Sequence, residues 1–176
     1  MESRIFLIGF MGSGKSTLGK ALAHDIGYDF MDLDKVIENQ SGMPITEIFG
    51  KYGEHGFREK EKETLHSLTL ISNTLIATGG GAPCFYDNME WMNSHGQTIF
   101  IDCPVDTLVD RLRSELDHRP LIKGFDDAGL KNFIIDKLAE RMPYYAQARF
   151  HVFGINEVSK MVRWIKMALD QKAAEQ

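Results

Sequence analysis

A chain of 176 residues is long enough for one domain with a sizeable core and too short for two full ones. At 43% hydrophobic and 26% charged residues, its composition is that of an ordinary soluble globular protein, and no apolar run approaches the roughly 18 residues needed to span a membrane. The formal charge of −5 argues against a nucleic-acid backbone as partner.

Strand and helix patterns alternate throughout, which predicts a parallel sheet covered on both faces. Arg4 to Gly9, with the apolar run Ile5-Phe6-Leu7-Ile8, reads as a first strand. Leu18, Ala21, Leu22 and Ile26 recur at helical spacing in a helix from Ser16 to Ile26, stopped at Gly27. Asp29 to Asp32 is a short second strand ending in Asp32-Leu33-Asp34. Helices are expected over Lys35 to Gln40, Ile45 to Tyr52 and Glu54 to Leu70, with Ser41-Gly42-Met43-Pro44 breaking the first from the second.

Leu75-Ile76-Ala77 forms a third strand and runs into Gly79-Gly80-Gly81-Ala82-Pro83. A helix over Asn88 to Ser94, a fourth strand over Thr98 to Asp102 and a helix over Asp106 to Arg113 follow. Ser114 to Gly129, with Arg119-Pro120 and Gly124, reads as a mobile polar loop. Leu130 to Tyr145 returns to helical spacing, with Pro143 predicting a kink or an early stop. Phe150 to Phe153 is the fifth strand, and Glu157 to Asp170 closes the chain as an amphipathic helix. The sum is a single domain over 1–176 of the α/β class, a three-layer sandwich with a five-stranded parallel sheet flanked by helices. Cys84 and Cys103 lie far apart and outside any C-x-x-C, so neither a disulfide framework nor a zinc site is expected. With no cleavable leader expected before the first strand, the chain reads as reduced and cytoplasmic, and as a monomer for want of an evident exposed apolar seam.

Chemistry concentrates first in Gly9-Phe10-Met11-Gly12-Ser13-Gly14-Lys15-Ser16-Thr17, which fits the phosphate-binding pattern G-x-x-x-x-G-K-[ST] between a strand and a helix. A tight glycine loop turns backbone N–H groups inward around phosphate oxygens, and the helix N-terminus beneath adds partial positive charge. Gly12, Ser13, Gly14 and Thr17 belong to that cradle. Lys15 can reach the outer phosphates, and the Ser16 hydroxyl can ligate Mg²⁺. The pattern implies a nucleoside triphosphate and leaves the phosphate acceptor open.

Asp32 and Asp34 fall at the carboxyl end of the second strand, the edge where ligands bind in open α/β sheets. In an extended segment alternate residues share one side, so one carboxylate could hold Mg²⁺ through water while the other accepts a proton or hydrogen bond from an acceptor hydroxyl. Asp102 competes for the metal role, because it ends an apolar strand in the manner of the second acidic motif of phosphate-loop proteins. Pattern alone leaves both open. Arg58, Arg119 and Arg141 are the cations suited to gripping a carboxylate or phosphate in a bidentate fork. Three successive glycines cost backbone entropy in helix or strand, so Gly79, Gly80 and Gly81 imply bare backbone close to a substrate.

With these residues laid out, the chain resembles the shikimate kinase family, within the nucleoside monophosphate kinase-like group of phosphate-loop kinases. The resemblance runs nearly the full length, through Gly9-x-x-Gly12-x-Gly14-Lys15-Ser16, Asp32-x-Asp34, Phe57-Arg58-x-x-Glu61, Gly79-Gly80-Gly81, Arg119-Pro120-Leu121, and Arg141 with Tyr145. It implies transfer of the ATP γ-phosphoryl to the 3-hydroxyl of shikimate, with Mg²⁺, in the pathway to chorismate and the aromatic amino acids. By the same resemblance Asp32 and Ser16 serve the metal, Asp34 contacts the accepting hydroxyl, and Arg58 and Arg141 bind the shikimate carboxylate. Gly79 to Gly81 then line the ring, while Arg119 reaches the phosphates from a lid at about 114–126. Phe49 and Phe57 belong to a substrate-binding helical region at about 33–61. Arg111 or Arg113 stands where the family stacks an arginine on adenine, and Gly154-Ile155-Asn156 is short for an adenine-binding loop. A gluconate or nucleoside monophosphate kinase, or a nucleotide-binding domain without transfer, are the rival readings.

Overall fold

The computed structural model describes residues 4–116, 121–154 and 157–174. Five parallel strands form one sheet: β1 (Arg4–Ile8), β2 (Asp29–Asp32), β3 (Thr74–Ala77), β4 (Gln97–Asp102) and β5 (Phe150–Phe153), in the order β2-β3-β1-β4-β5. The helices are α1 (Lys15–Ile26), α2 (Leu33–Ser41), α3 (Ile45–Ser67), α4 (Asn88–His95), α5 (Val105–Arg113), α6 (Asp127–Tyr145) and α7 (Val158–Ala174). Among the described residues no helix is long and apolar enough to cross a membrane.

The period of two in β1 builds the layers. Phe6 and Ile8 point into one core with Ile37, Ile48, Phe57, Phe100 and Tyr145, under α2, α3, α4 and α6. Ile5 and Leu7 point into the other, with Leu18 and Leu22 of α1 and Val162 and Ile165 of α7. A central strand buried on both faces has no polar face to show, which is why Ile5-Phe6-Leu7-Ile8 is continuously apolar. Each such side chain contributes about 1.5–3 kcal/mol by leaving water. A third cluster, with Phe10, Leu108, Leu112, Ile122, Leu130 and Ile134, joins α5 and α6 beside the glycine loop. At the opposite end of β1 the buried Arg4 guanidinium donates to the carbonyls of His95, Thr69 and Ile71, closing the sheet away from the cleft.

The helices expected over 45–52 and 54–70 are both present, separated within α3 by the non-helical backbone of Gly53 (φ 68°, ψ −177°), and only the last three expected residues differ, forming a 3₁₀ turn at Leu68–Leu70. Two other local expectations change. Asp34 does not continue an extended segment. Asp32 is the extended last residue of β2 and the residue before α2, and Asp34 lies in the first helical turn, where its charge suits the helix dipole. The two carboxylates therefore meet by a strand-to-helix turn rather than by strand alternation. Of the kink or early stop expected at Pro143, the early stop does not occur: α6 runs on to Tyr145 with the proline in its last turn, which leaves only two residues of helix beyond it.

Candidate active site

The connections from β1, β2 and β3 all leave at the carboxyl ends of adjacent strands, and a cleft of about 580 Å³ opens there. It is lined by residues 11–17, Asp32, Asp34, Thr78, Gly79, Gly80 and Arg111, with Val158 and Met161 of α7 as an apolar wall. The glycine loop takes the backbone its sequence demands, with φ of 76° at Gly12 and 94° at Gly14, the residue preceding α1. The Lys15 ammonium donates to the carbonyls of Gly9 (2.8 Å) and Phe10 (2.9 Å), so the cation is held across the mouth of the loop. Ser16 Oγ donates to Asp32 Oδ2 at 2.9 Å.

That contact separates the competing aspartates. Asp32 stands against the loop hydroxyl and lines the cleft, whereas Asp102 is absent from the cleft's described lining and its backbone carbonyl is taken by the Gly154 N–H. A hydroxyl and a carboxylate oxygen side by side at the cleft floor are a hard-oxygen pair suited to Mg²⁺, which keeps several waters and takes few protein ligands. Arg111 and Arg113 separate as well. Arg111 Nη1 donates to the Gly12 carbonyl at 3.0 Å and lines the cleft, while Arg113 pairs with Asp127 at 2.8 Å on the surface. Arg119, Ile155 and Asn156 lie outside the described residues.

The acceptor side is assembled from four elements. Arg58 of α3 is 5% exposed and donates from Nη1 to Glu61 Oε2 at 2.7 Å and from Nη2 to Glu54 Oε1 at 3.3 Å. Its guanidinium lies 4.2 Å from the Phe85 ring centroid and 5.1 Å from that of Phe57, which in turn packs 4.5 Å from Phe49. Arg141 of α6 is 8% exposed and lies 5.2 Å from the Phe10 ring centroid.

Between them runs the triple-glycine turn, and its composition has a steric cause. None of the three has φ in the left-handed region. A Cβ on Gly79 would stand 2.6 Å from Glu61 Oε1 and 3.0 Å from Asp34 Oδ1; on Gly80, 3.3 Å from Arg141 Nη1; on Gly81, 2.5 Å from Arg58 Nη2. Each glycine makes room for a charged side chain of the pocket. Close approach was expected there, but of substrate rather than of these side chains.

Burial, and then the neighbouring Asp32, push the Asp34 carboxyl above its ordinary range, against the opposing pull of Lys15 and Arg58. Burial pushes Glu61 up to about 7 despite its ion pair with Arg58. In the sequence Glu61 stands only as the last member of Phe57-Arg58-x-x-Glu61, with no role of its own. Its i, i+3 spacing to Arg58 was the available signal. Asp34 Oδ1, Glu61 Oε1, Arg58 Nε and Arg141 Nη1 are all buried without a hydrogen-bond partner among the described residues. Buried polar groups are rarely left so, and four on side chains gathered round the Gly79–Gly81 turn suit a polar ligand.

The sequence is matched by the family model for shikimate kinase over residues 11–171. A shikimate kinase of Bacteroides thetaiotaomicron is 47% identical over 161 residues, covering 92% of this chain and 90% of the relative. Among solved structures, a shikimate kinase from the same species superposes with a TM-score of 0.92 at 42% identity, covering 97% and 99% of the two chains. The shikimate kinase of Acinetobacter baumannii in complex with shikimate gives a TM-score of 0.89 at 31% identity, covering 98% and 95%. The chain belongs to the shikimate kinase family.

Proposed function

From membership of the shikimate kinase family, we propose that this enzyme transfers the γ-phosphoryl group of ATP to the 3-hydroxyl of shikimate. The observation that carries the reading is the cluster of four unpartnered buried polar atoms on side chains around the Gly79–Gly81 turn, beyond the phosphate loop. Shikimate is a compact polyol with one carboxylate, and that is the polarity the pocket lacks. Arg58 and Arg141 grip the carboxylate, with Arg58 held in place by Glu61 and the Phe85 ring. Gly79 to Gly81 let the ring of the substrate sit against backbone.

Phosphoryl transfer asks the protein for alignment and charge stabilisation rather than covalent chemistry. The loop from Gly12 to Thr17 cradles the phosphates, and Lys15 moves from the loop carbonyls onto the outer phosphates as nucleotide enters. Asp34 receives the hydrogen of the accepting hydroxyl; a carboxyl pushed above its ordinary range takes up a proton more readily. Ser16 and Asp32, the latter through water, would hold Mg²⁺, whose chemistry when bound is charge neutralisation on the phosphates. Arg111, with Val158 and Met161, borders the base end of the cleft. Arg119 belongs to the lid at about 114–126 that covers the phosphates, and residues 33–61 form the acceptor-side region.

The test is an acceptor screen. ADP release is followed with shikimate, gluconate and the nucleoside monophosphates in turn. Turnover with shikimate at least a hundredfold above the others is expected, and equal turnover without shikimate contradicts the reading.

A further inference from the structure

Tyr145 is fully buried at the end of α6, one turn beyond Arg141, and no part of the transfer described above uses it. Its ring stacks on Phe100 with centroids 4.9 Å apart, and its hydroxyl donates to the Gly80 carbonyl. Burial, against the pull of the Arg141 charge, pushes the phenol well above its ordinary range, so it stays a neutral O–H donor. Gly80 is where three parts of the site meet. A Cβ there would stand 3.1 Å from Met11 N and 3.3 Å from Gly9 O of the phosphate loop, and 3.3 Å from Arg141 Nη1 of the acceptor pocket. A residue that pins the Gly80 backbone therefore sets the spacing between donor loop and acceptor pocket.

We propose that Tyr145 is a positioning residue: its hydroxyl, anchored by the Phe100 stack, locks the Gly79–Gly81 turn against the phosphate loop so that the acceptor hydroxyl lies in line with the γ-phosphoryl. The inference rests on the shikimate kinase reading. It locates Tyr145 outside direct contact with either substrate, acting through Gly80 and through the Arg141 carried on the same helix turn. Small displacements of reacting groups are costly, with about 1 Å worth as much as a hundredfold in rate.

The test is Tyr145→Phe, which keeps the ring and its stack while removing the O–H. Steady-state kinetics are measured for both substrates and expressed per nucleotide-binding site counted by ADP titration, so that a misfolded fraction drops out. The expected result is a fall of about tenfold or more in kcat/KM for shikimate, with KM for ATP within twofold of wild type. Parameters for both substrates within twofold of wild type would overturn the proposal. So would an equal rise in KM for both substrates, or a loss that disappears after normalisation, because either assigns Tyr145 to general stability. Wild-type protein without shikimate-dependent turnover overturns the kinase reading and the inference with it, whereas an active wild type beside an unaltered Tyr145→Phe overturns the inference alone.

Discussion

The donor and acceptor halves of the cleft are built in opposite ways. The donor half is nine consecutive residues, with Asp32 and Arg111 brought against them, whose polar groups answer one another: Lys15 on the carbonyls of Gly9 and Phe10, Ser16 on Asp32, Arg111 on Gly12. Only Ser13 Oγ is left there as a buried atom without a partner among the described residues. The acceptor half gathers Asp34, Arg58, Glu61 and Arg141 from three helices around one turn, and leaves four such atoms. An unpaired buried polar group costs about 1–3 kcal/mol, and more when charged. A ligand that supplies matching groups gains these bonds and one lacking them does not, and that difference is a source of selectivity.

Arg58→Ala should break this contrast most sharply. It removes charge-assisted bonds to the substrate carboxylate and strands Glu61, so kcat/KM for shikimate should fall by roughly a hundredfold to a thousandfold, about 3–4 kcal/mol. ATP affinity should stay within about twofold, the range set by the separation of the two halves; titrating nucleotide binding alongside the kinetics checks both, and a comparable loss of ATP binding contradicts the assignment. Gly81→Ala should come next. Its methyl would stand 2.5 Å from Arg58 Nη2, so the guanidinium must shift, and a rise of roughly tenfold in KM for shikimate is expected.

Much of this was legible in the sequence, and unequally so. The donor loop is local: its spacing, the strand before it and the helix after it mark it as a phosphate-binding pattern. The sheet was legible for the same reason, because continuous apolar runs such as Ile5 to Ile8 have few other uses. The acceptor half was not legible from spacing, since Arg58 and Arg141 are brought together only when α3 and α6 pack on one face of the sheet. Resemblance to a family supplied what periodicity could not. The cause of the three glycines and the place of Glu61 needed coordinates, because both depend on which side chains fill the space beside Gly79 and Gly81. The Asp32–Asp34 pair was correctly placed on the cleft for a wrong local reason, a strand continuing where a helix begins.

Two smaller effects sharpen the donor side. Asp32→Asn should lower Mg²⁺-dependent turnover by about tenfold or more, and Asp102→Asn by less than about twofold, since it is Asp32 that accepts from the Ser16 hydroxyl. A magnesium titration of both variants decides it, and the reverse order reinstates Asp102.

The last effect is in stability. Glu61 has its pKa raised to about 7 in the folded state from 4.5, so between these values the folded chain holds a proton that the unfolded chain has lost. Stability should therefore fall as pH rises from about 4.5 to 7, by on the order of 2–3 kcal/mol. Asp34 is raised too and adds in the same direction. Glu61→Gln should flatten part of that slope in urea denaturation across the same window, and an unchanged slope contradicts the burial-driven shift.

The separation of the two halves is tested most directly by calorimetric titration of shikimate into the nucleotide-free protein. Saturable binding is predicted for wild type, lost in both Arg58→Ala and Arg141→Ala and retained in Lys15→Ala. Binding lost equally in Lys15→Ala, or retained when both arginines are removed, would contradict an acceptor pocket in which Arg58 and Arg141 hold the substrate.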